Sequence, residues 1–220
     1  MNQPGTAGPQ YDQARLWAMV HAERRALAAD LAGLTDEQWA TPSLCAGLSV
    51  REALAHLTAG ASLGWGRWMA GVIKCRFDFD KQVAMRLEER LGDSPAETLR
   101  RFERAAGGTT RMVGLRAVLG EAVVHGEDIR RPLGLRRDHP AETLALLAEY
   151  YRGSDFVVVA KRRVADLRLA ATDGPFTAGE GPLVSGPTLA LIMAMTGRGA
   201  CCDDLSGDGV PILRERCAAA

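Results

Sequence analysis

Three helix-opening signatures in the first half of the chain constrain its fold more than any other feature. Thr35-Asp-Glu-Gln38 and Ser49-Val-Arg-Glu52 are capping boxes. Ser94-Pro95-Ala96-Glu97 sets Ser at the N-cap, Pro at the first helical position and Glu at the third. In each, a hydroxyl accepts from a backbone N–H that a helix start leaves without a partner. Apolar residues keep the helical period around these points, with Leu16, Val20, Ala26, Leu27 and Leu31 on one stripe of residues 11–33.

The Ser49 box predicts a helix to about Val72, and the Ser94 cap predicts one ending at Gly107-Gly108. A helix from about Leu115 should stop before Pro132, and Pro140 should open another through Leu144, Leu147 and Tyr151. Helices joined by such short links form an antiparallel bundle. After Gly153 the pattern changes. Ala165–Ala171 alternates with period two, as a strand does. Thr172–Pro175 reads as a turn, and Phe176–Val184 as a second strand interrupted by Gly. Gly186-Pro187 precedes a helix ended by Gly197, and the tail ends in a helical stub. The expected fold class is α+β, mostly α: a disordered leader over residues 1–10, a helical bundle over 11–153 and a small α/β C-terminal domain over 154–220.

The leader lacks the basic and apolar regions of a signal peptide, and the most apolar run, Thr188–Thr196, is too short to span a bilayer. Zero net charge gives no global attraction to nucleic acid or anionic membrane. The cysteines are odd in number, without CxxC spacing, which reads as a reduced cytoplasmic protein. The preference for Arg over Lys reads as a GC-rich coding genome.

Candidate chemistry centres on Glu121 and His125 in GEAVVHGED, an i, i+4 pair on one helical face. His56, from a second helix, would complete a His₂Glu set with the open fourth position of catalytic zinc. Nickel, cobalt or Fe(II) suits the same donors. The competing readings are a core histidine at 56 and a surface pair at 121 and 125. Asp128 either orients His125 or moves a proton, or else pairs with Arg130 or Arg131. Arg198 either forks onto a carboxylate or neutralises helix C-terminal carbonyls. Trp65 and Trp68 wall a cofactor pocket or belong to the core. Arg76, Phe77 and Phe79 are loop candidates for ligand contact, and Cys45 is a packing residue or a nucleophile.

Three stretches together resemble the mycothiol-dependent maleylpyruvate isomerase family over nearly the whole length. They are WATPSLCAGLSVREALAHL (39–57), GEAVVHGEDIRRPLG (120–134) and SGPTLALIMAMTGR (185–198). The resemblance implies a DinB-like antiparallel four-helix bundle with a small second domain. It implies His56, Glu121 and His125 as zinc ligands, Asp128 one turn beyond, Arg198 facing the pocket, and mycothiol as thiol cosubstrate. Residues 74–93 and 107–114 match a subgroup of uncharacterised members and not the isomerase itself. The activity implied is therefore broader: zinc-dependent activation of a small thiol for transfer to, or isomerisation of, a small electrophile. A thiol-independent metal-dependent hydrolase and a non-catalytic metal-binding bundle are the competing functions, and monomer and homodimer both remain open.

Overall fold

The structure, a computed structural model, describes residues 11–62, Gly64, Met85 and residues 87–218. Its first part contains α1 (Gln13–Leu31), α2 (Asp36–Ala40), α3 (Val50–Ser62), α4 (Pro95–Ala106), α5 (Leu115–Arg130) and α6 (Ala141–Gly153). Helices α1, α3, α4 and α5 form a four-helix bundle in which α1 and α3 each pack against both α4 and α5. The local signals act as expected. Thr35 and Gln38 complete a capping box, Ser94 accepts from the Glu97 N–H, and the Ser49 N–H donates to Glu52 Oε2 over 2.8 Å. On α1 the stripe Leu16, Val20, Leu27 and Leu31 is buried, while Ala26 is half-buried.

One helix boundary differs from expectation. Helix α3 ends at Ser62, and Gly64 lies outside any helix, so no continuous helix reaches Val72. Glycines at 60 and 64 weaken helix propensity there. The rest of that expectation, with Trp65, Trp68, Arg76, Phe77 and Phe79, falls outside the described residues, as does the 1–10 leader. Helix α5 stops before Pro132 as expected, and the chain then makes a 3₁₀ turn, Arg131–Leu133, closed by Gly134 at φ +69°. Proline fits because it occupies the opening of that turn, where its missing N–H costs nothing.

The C-terminal part holds β1 (Arg168–Ala171), β2 (Thr177–Ala178), β3 (Leu183–Gly186), α7 (Thr188–Met195), a 3₁₀ segment (Gly199–Asp204) and α8 (Val210–Ala218). Sheet order is β2-β1-β3, with β1 antiparallel to β2 and parallel to β3. The single interrupted strand expected over 176–184 is therefore two strands on opposite edges of β1. Between them the chain turns through Gly179 and Gly181, at φ +74° and +116°. A Cβ at either would collide with the carbonyl oxygen of Leu167 or Asp166, so glycine is required at both.

One apolar cluster runs through the molecule. It begins at Leu16 and Val20 of α1, passes Leu119 and Val123 of α5 and Leu147 of α6, and continues into Leu169, Val184 and Ile192. Helix α6 packs chiefly on α7, so the fifth long helix joins the bundle to the sheet. A second cluster, with Leu27, Trp39, Leu54, Phe102 and Ile129, fills the other end of the bundle. None of the described helices is long and apolar enough to cross a membrane.

Candidate functional site

Helix α3 turns His56 and, one helical turn on, Gly60 toward α5. Helix α5 answers with Glu121, His125 and Asp128. The rings of His56 and His125 meet edge to face, with centroids 5.2 Å apart. Glu121 reaches into the space left by Gly60, where a Cβ would collide with Glu121 Oε1. His56, Gly60, Glu121 and His125 line a cavity of about 470 Å³ together with Tyr151 and Arg198. Glu121 and His125 of α5 and His56 of α3 thus line one volume.

His125 Nδ1 lies 2.9 Å from Asp128 Oδ2. Arg198 forks onto the same carboxylate, with Nε donating to Oδ1 over 2.9 Å and Nη2 to Oδ2 over 2.5 Å. Its Nη1 donates to the Thr196 carbonyl over 2.8 Å, so this arginine also satisfies the end of α7. The alternative partners of Asp128 are engaged elsewhere: Arg130 with Asp30 at 2.7 Å, and Arg131 with Asp204 at 2.7 Å. Gly197, at φ +100°, supplies the turn that brings Arg198 back to α5.

Charge states follow from these neighbours. Burial, reinforced by the charge of His125, pushes His56 down to about 4, so it is neutral at physiological pH. Burial pushes Glu121 up, and the charges of His125 and Arg24 only partly oppose this. For His125, burial favours the neutral ring, but hydrogen bonds with Asp128 and Cys45 and the Asp128 charge carry it up to about 9. Burial also works against ionised Asp128, yet His125 and Arg198 hold it below the usual carboxylate range. Among the described residues the half-buried Glu121 has no hydrogen-bond partner, and its partial burial disfavours the ionised form.

Which donors suit a cation is decided by Arg198. The closest donor group among the described residues is Cys45, His125 and Asp128, whose ligand atoms all lie within 4.8 Å of one another. Both Asp128 oxygens already face a guanidinium, so a cation there would meet its charge at short range. His56 and Glu121 lie outside that group, and Glu121 has the charge of Arg24 near it.

Tyr151, Cys45 and the rim residues Arg111–Val113 were not legible as one site. Their one local trace is Gly120 in the interior of α5, where a Cβ would collide with the Tyr151 hydroxyl. The loop residues Val157 and Val158 complete the opening.

Residues 20–114 match the family model described as mycothiol maleylpyruvate isomerase N-terminal domain. That span includes Cys45 and His56 and ends before Glu121. Two crystal structures share the fold. The mycothiol-dependent maleylpyruvate isomerase is 14% identical with a TM-score of 0.58. A His-to-Ala mutant of the mycothiol-dependent maleylpyruvate isomerase is 13% identical with a TM-score of 0.62. Each comparison covers 90% of this chain and 93% of the other. No curated protein matches. Residues 20–114 thus resemble that family's N-terminal domain, and the chain shares the fold of the mycothiol-dependent maleylpyruvate isomerase over nearly its whole length.

Proposed function

We propose that this protein is a cytoplasmic, metal-dependent enzyme that activates a low-molecular-weight thiol, mycothiol, for addition to a small electrophile. His56, Glu121 and His125 would hold the metal, zinc or another divalent ion such as nickel, cobalt or iron. The observation that carries this reading is the meeting of two imidazoles, 5.2 Å apart, over a cavity that also receives a half-buried glutamate without a hydrogen-bond partner among the described residues. A divalent metal in this set lowers the pKa of a bound thiol, so that the nucleophilic thiolate is present near neutral pH.

The protein's own residues supply the rest. Asp128 fixes the His125 ring through Nδ1 and so turns Nε2 to the cavity. Arg198 holds Asp128 ionised and in place. Burial keeps His56 unprotonated, with a lone pair to give. Burial also raises the Tyr151 hydroxyl well above its ordinary range, so it stays protonated and can donate at Oη. Apolar walls limit water. The substrate's conjugated double bond takes up the sulfur, and release of the adduct or elimination to the trans isomer separates transferase from isomerase.

Purified protein should carry stoichiometric metal by elemental analysis, and the His56→Ala, His125→Ala double variant should carry none. With thiol and a panel of electrophiles, wild type should consume thiol above background. Metal-dependent turnover persisting without any thiol would replace this reading with a hydrolase. Metal without turnover would reduce it to a binding protein.

A further inference from the structure

The ring of Tyr151 belongs to the apolar cluster that joins the bundle to the sheet, and the residue is only 5% exposed. A phenol held at such a core position ordinarily bonds through its hydroxyl to another protein group. Tyr151 departs from that habit. Among the described residues its Oη has no hydrogen-bond partner, and the side chain lines the cavity shared by His56, Glu121 and His125. Helix α5 makes room for it. Gly120 stands directly before Glu121, and a Cβ there would collide with Tyr151 Oη and with the ring carbon that bears it. Glycine weakens a helix interior, so this space is kept against the preference of the helix itself.

The other guanidinium and hydroxyl donors that the described residues bring to the cavity are engaged. Arg198 bonds through Nε and Nη2 to Asp128 and through Nη1 to the Thr196 carbonyl. Thr196 Oγ1 turns back to the carbonyls of Ile192 and Met193, 3.0 Å from each. Arg111 Nη1 donates to the Val113 carbonyl over 3.2 Å. Tyr151 instead presents an O–H that is protonated at neutral pH and fixed by a buried ring. Such a donor acts most strongly where negative charge develops on a bound oxygen.

Thiolate addition creates that charge. As sulfur bonds to the far carbon of a double bond conjugated to a carbonyl, the C=C pair moves toward the carbonyl carbon. The carbonyl π pair moves onto oxygen, which leaves an enolate. We propose that the Tyr151 hydroxyl donates a hydrogen bond to that oxygen while keeping its own proton. The enolate then returns its pair and expels sulfur after rotation about the new single bond, or it takes a proton from water at carbon and leaves as the adduct. This rests on the thiol-addition reading above and assigns a catalytic residue to it.

Tyr151→Phe deletes the hydroxyl and keeps the ring. With thiol and a conjugated carbonyl, kcat should fall roughly 100-fold while KM changes by less than about 3-fold, as for a donor that acts on the transition state. The melting temperature should be unchanged or higher, whereas a hydroxyl that tied the fold together would lower it by roughly 2–4 °C on removal. Tyr150→Phe, which alters the adjacent ring outside the cavity lining, should match wild type. A probe read without thiol or turnover keeps the two readings apart. Ionised 4-nitrophenolate, whose oxygen carries an enolate-like charge, should bind wild type roughly 10-fold more tightly than Tyr151→Phe, and neutral nitrobenzene should bind both equally. Wild-type kcat in Tyr151→Phe, equal 4-nitrophenolate affinity, or a lowered melting temperature would each overturn the assignment. Tyr151-dependent probe binding with no thiol consumption sinks the thiol-addition reading and leaves the donor in place. Thiol turnover that Tyr151→Phe leaves untouched sinks the donor alone.

Discussion

Gly60 shows how one missing atom can shape a site. It sits one turn after His56, and its bare Cα is what lets the Glu121 carboxylate approach α3. Alanine here should favour the helix by about 1 kcal/mol on propensity alone while pushing the carboxylate aside. The expected result for Gly60→Ala is metal affinity lowered roughly 10- to 100-fold, as for loss of a group that orients a ligand, with little change in melting temperature. A chelator-competition titration giving wild-type affinity would show that Glu121 is not needed where it lies. At this scale the sequence was partly transparent. The i, i+4 relation of Glu121 and His125 is a property of any helix, so it could be read from spacing. The fork of Arg198 on Asp128 joins residues 70 apart, and no local rule predicts which of several arginines arrives. Tyr151 reaches the cavity, and Cys45 the His125–Asp128 pair, by the same kind of long-range contact.

Between elements, the main polar tie lies away from the cavity. His139, in the connection from α5 to α6, is held between two buried carboxylates, with Nδ1 3.2 Å from Glu23 of α1 and Nε2 3.0 Å from Glu127 of α5. Arg137 adds a 2.8 Å contact to Glu23. Burial works against ionised Glu23, but the close approach of His139 and the hydrogen bonds from Arg137 outweigh it and bring the carboxyl from 4.5 down to about 2. Its stabilising contribution is complete above pH 4.5 and lost as pH falls toward 2, a change of roughly 3 kcal/mol. His139 works in the other direction. Burial opposes its charge, Glu127 and Glu23 raise it above 6.5, and its contribution is complete below 6.5 and lost as pH climbs through the raised value. Denaturant unfolding should therefore show these groups contributing most between about pH 4.5 and 6.5. Glu23→Gln should be less stable at pH 6 and lose less on further acidification. Parallel acid limbs for wild type and variant would refute the assignment. The elements themselves were legible wherever a cap marks them, because capping is local: Thr35, Ser49 and Ser94 each start the helix expected of them. Sheet order was not. A two-residue strand such as Thr177–Ala178 carries too little pattern to reveal that it pairs antiparallel while Leu183–Gly186 pairs parallel.

Across the whole molecule, the change of character after Gly153 marks a change of secondary structure without a break in the apolar core. Leu119, Leu147, Leu169 and Ile192 belong to one buried cluster, and α6 leans on α7. A core shared in this way favours a single cooperative transition. Guanidinium unfolding followed by fluorescence should coincide with loss of amide protection in α7 and β1. Protection in residues 154–218 that vanished at lower denaturant than that of α5 would instead show two independently folding units.

The tether from Arg198 to Asp128 has a consequence for how such proteins can be cut and recombined. A chain shortened to its N-terminal helices would keep every donor on α3 and α5 yet leave Asp128 facing an empty socket, an uncompensated anion at the root of His125. Grafting those helices onto a foreign scaffold therefore means transplanting a cation along with them.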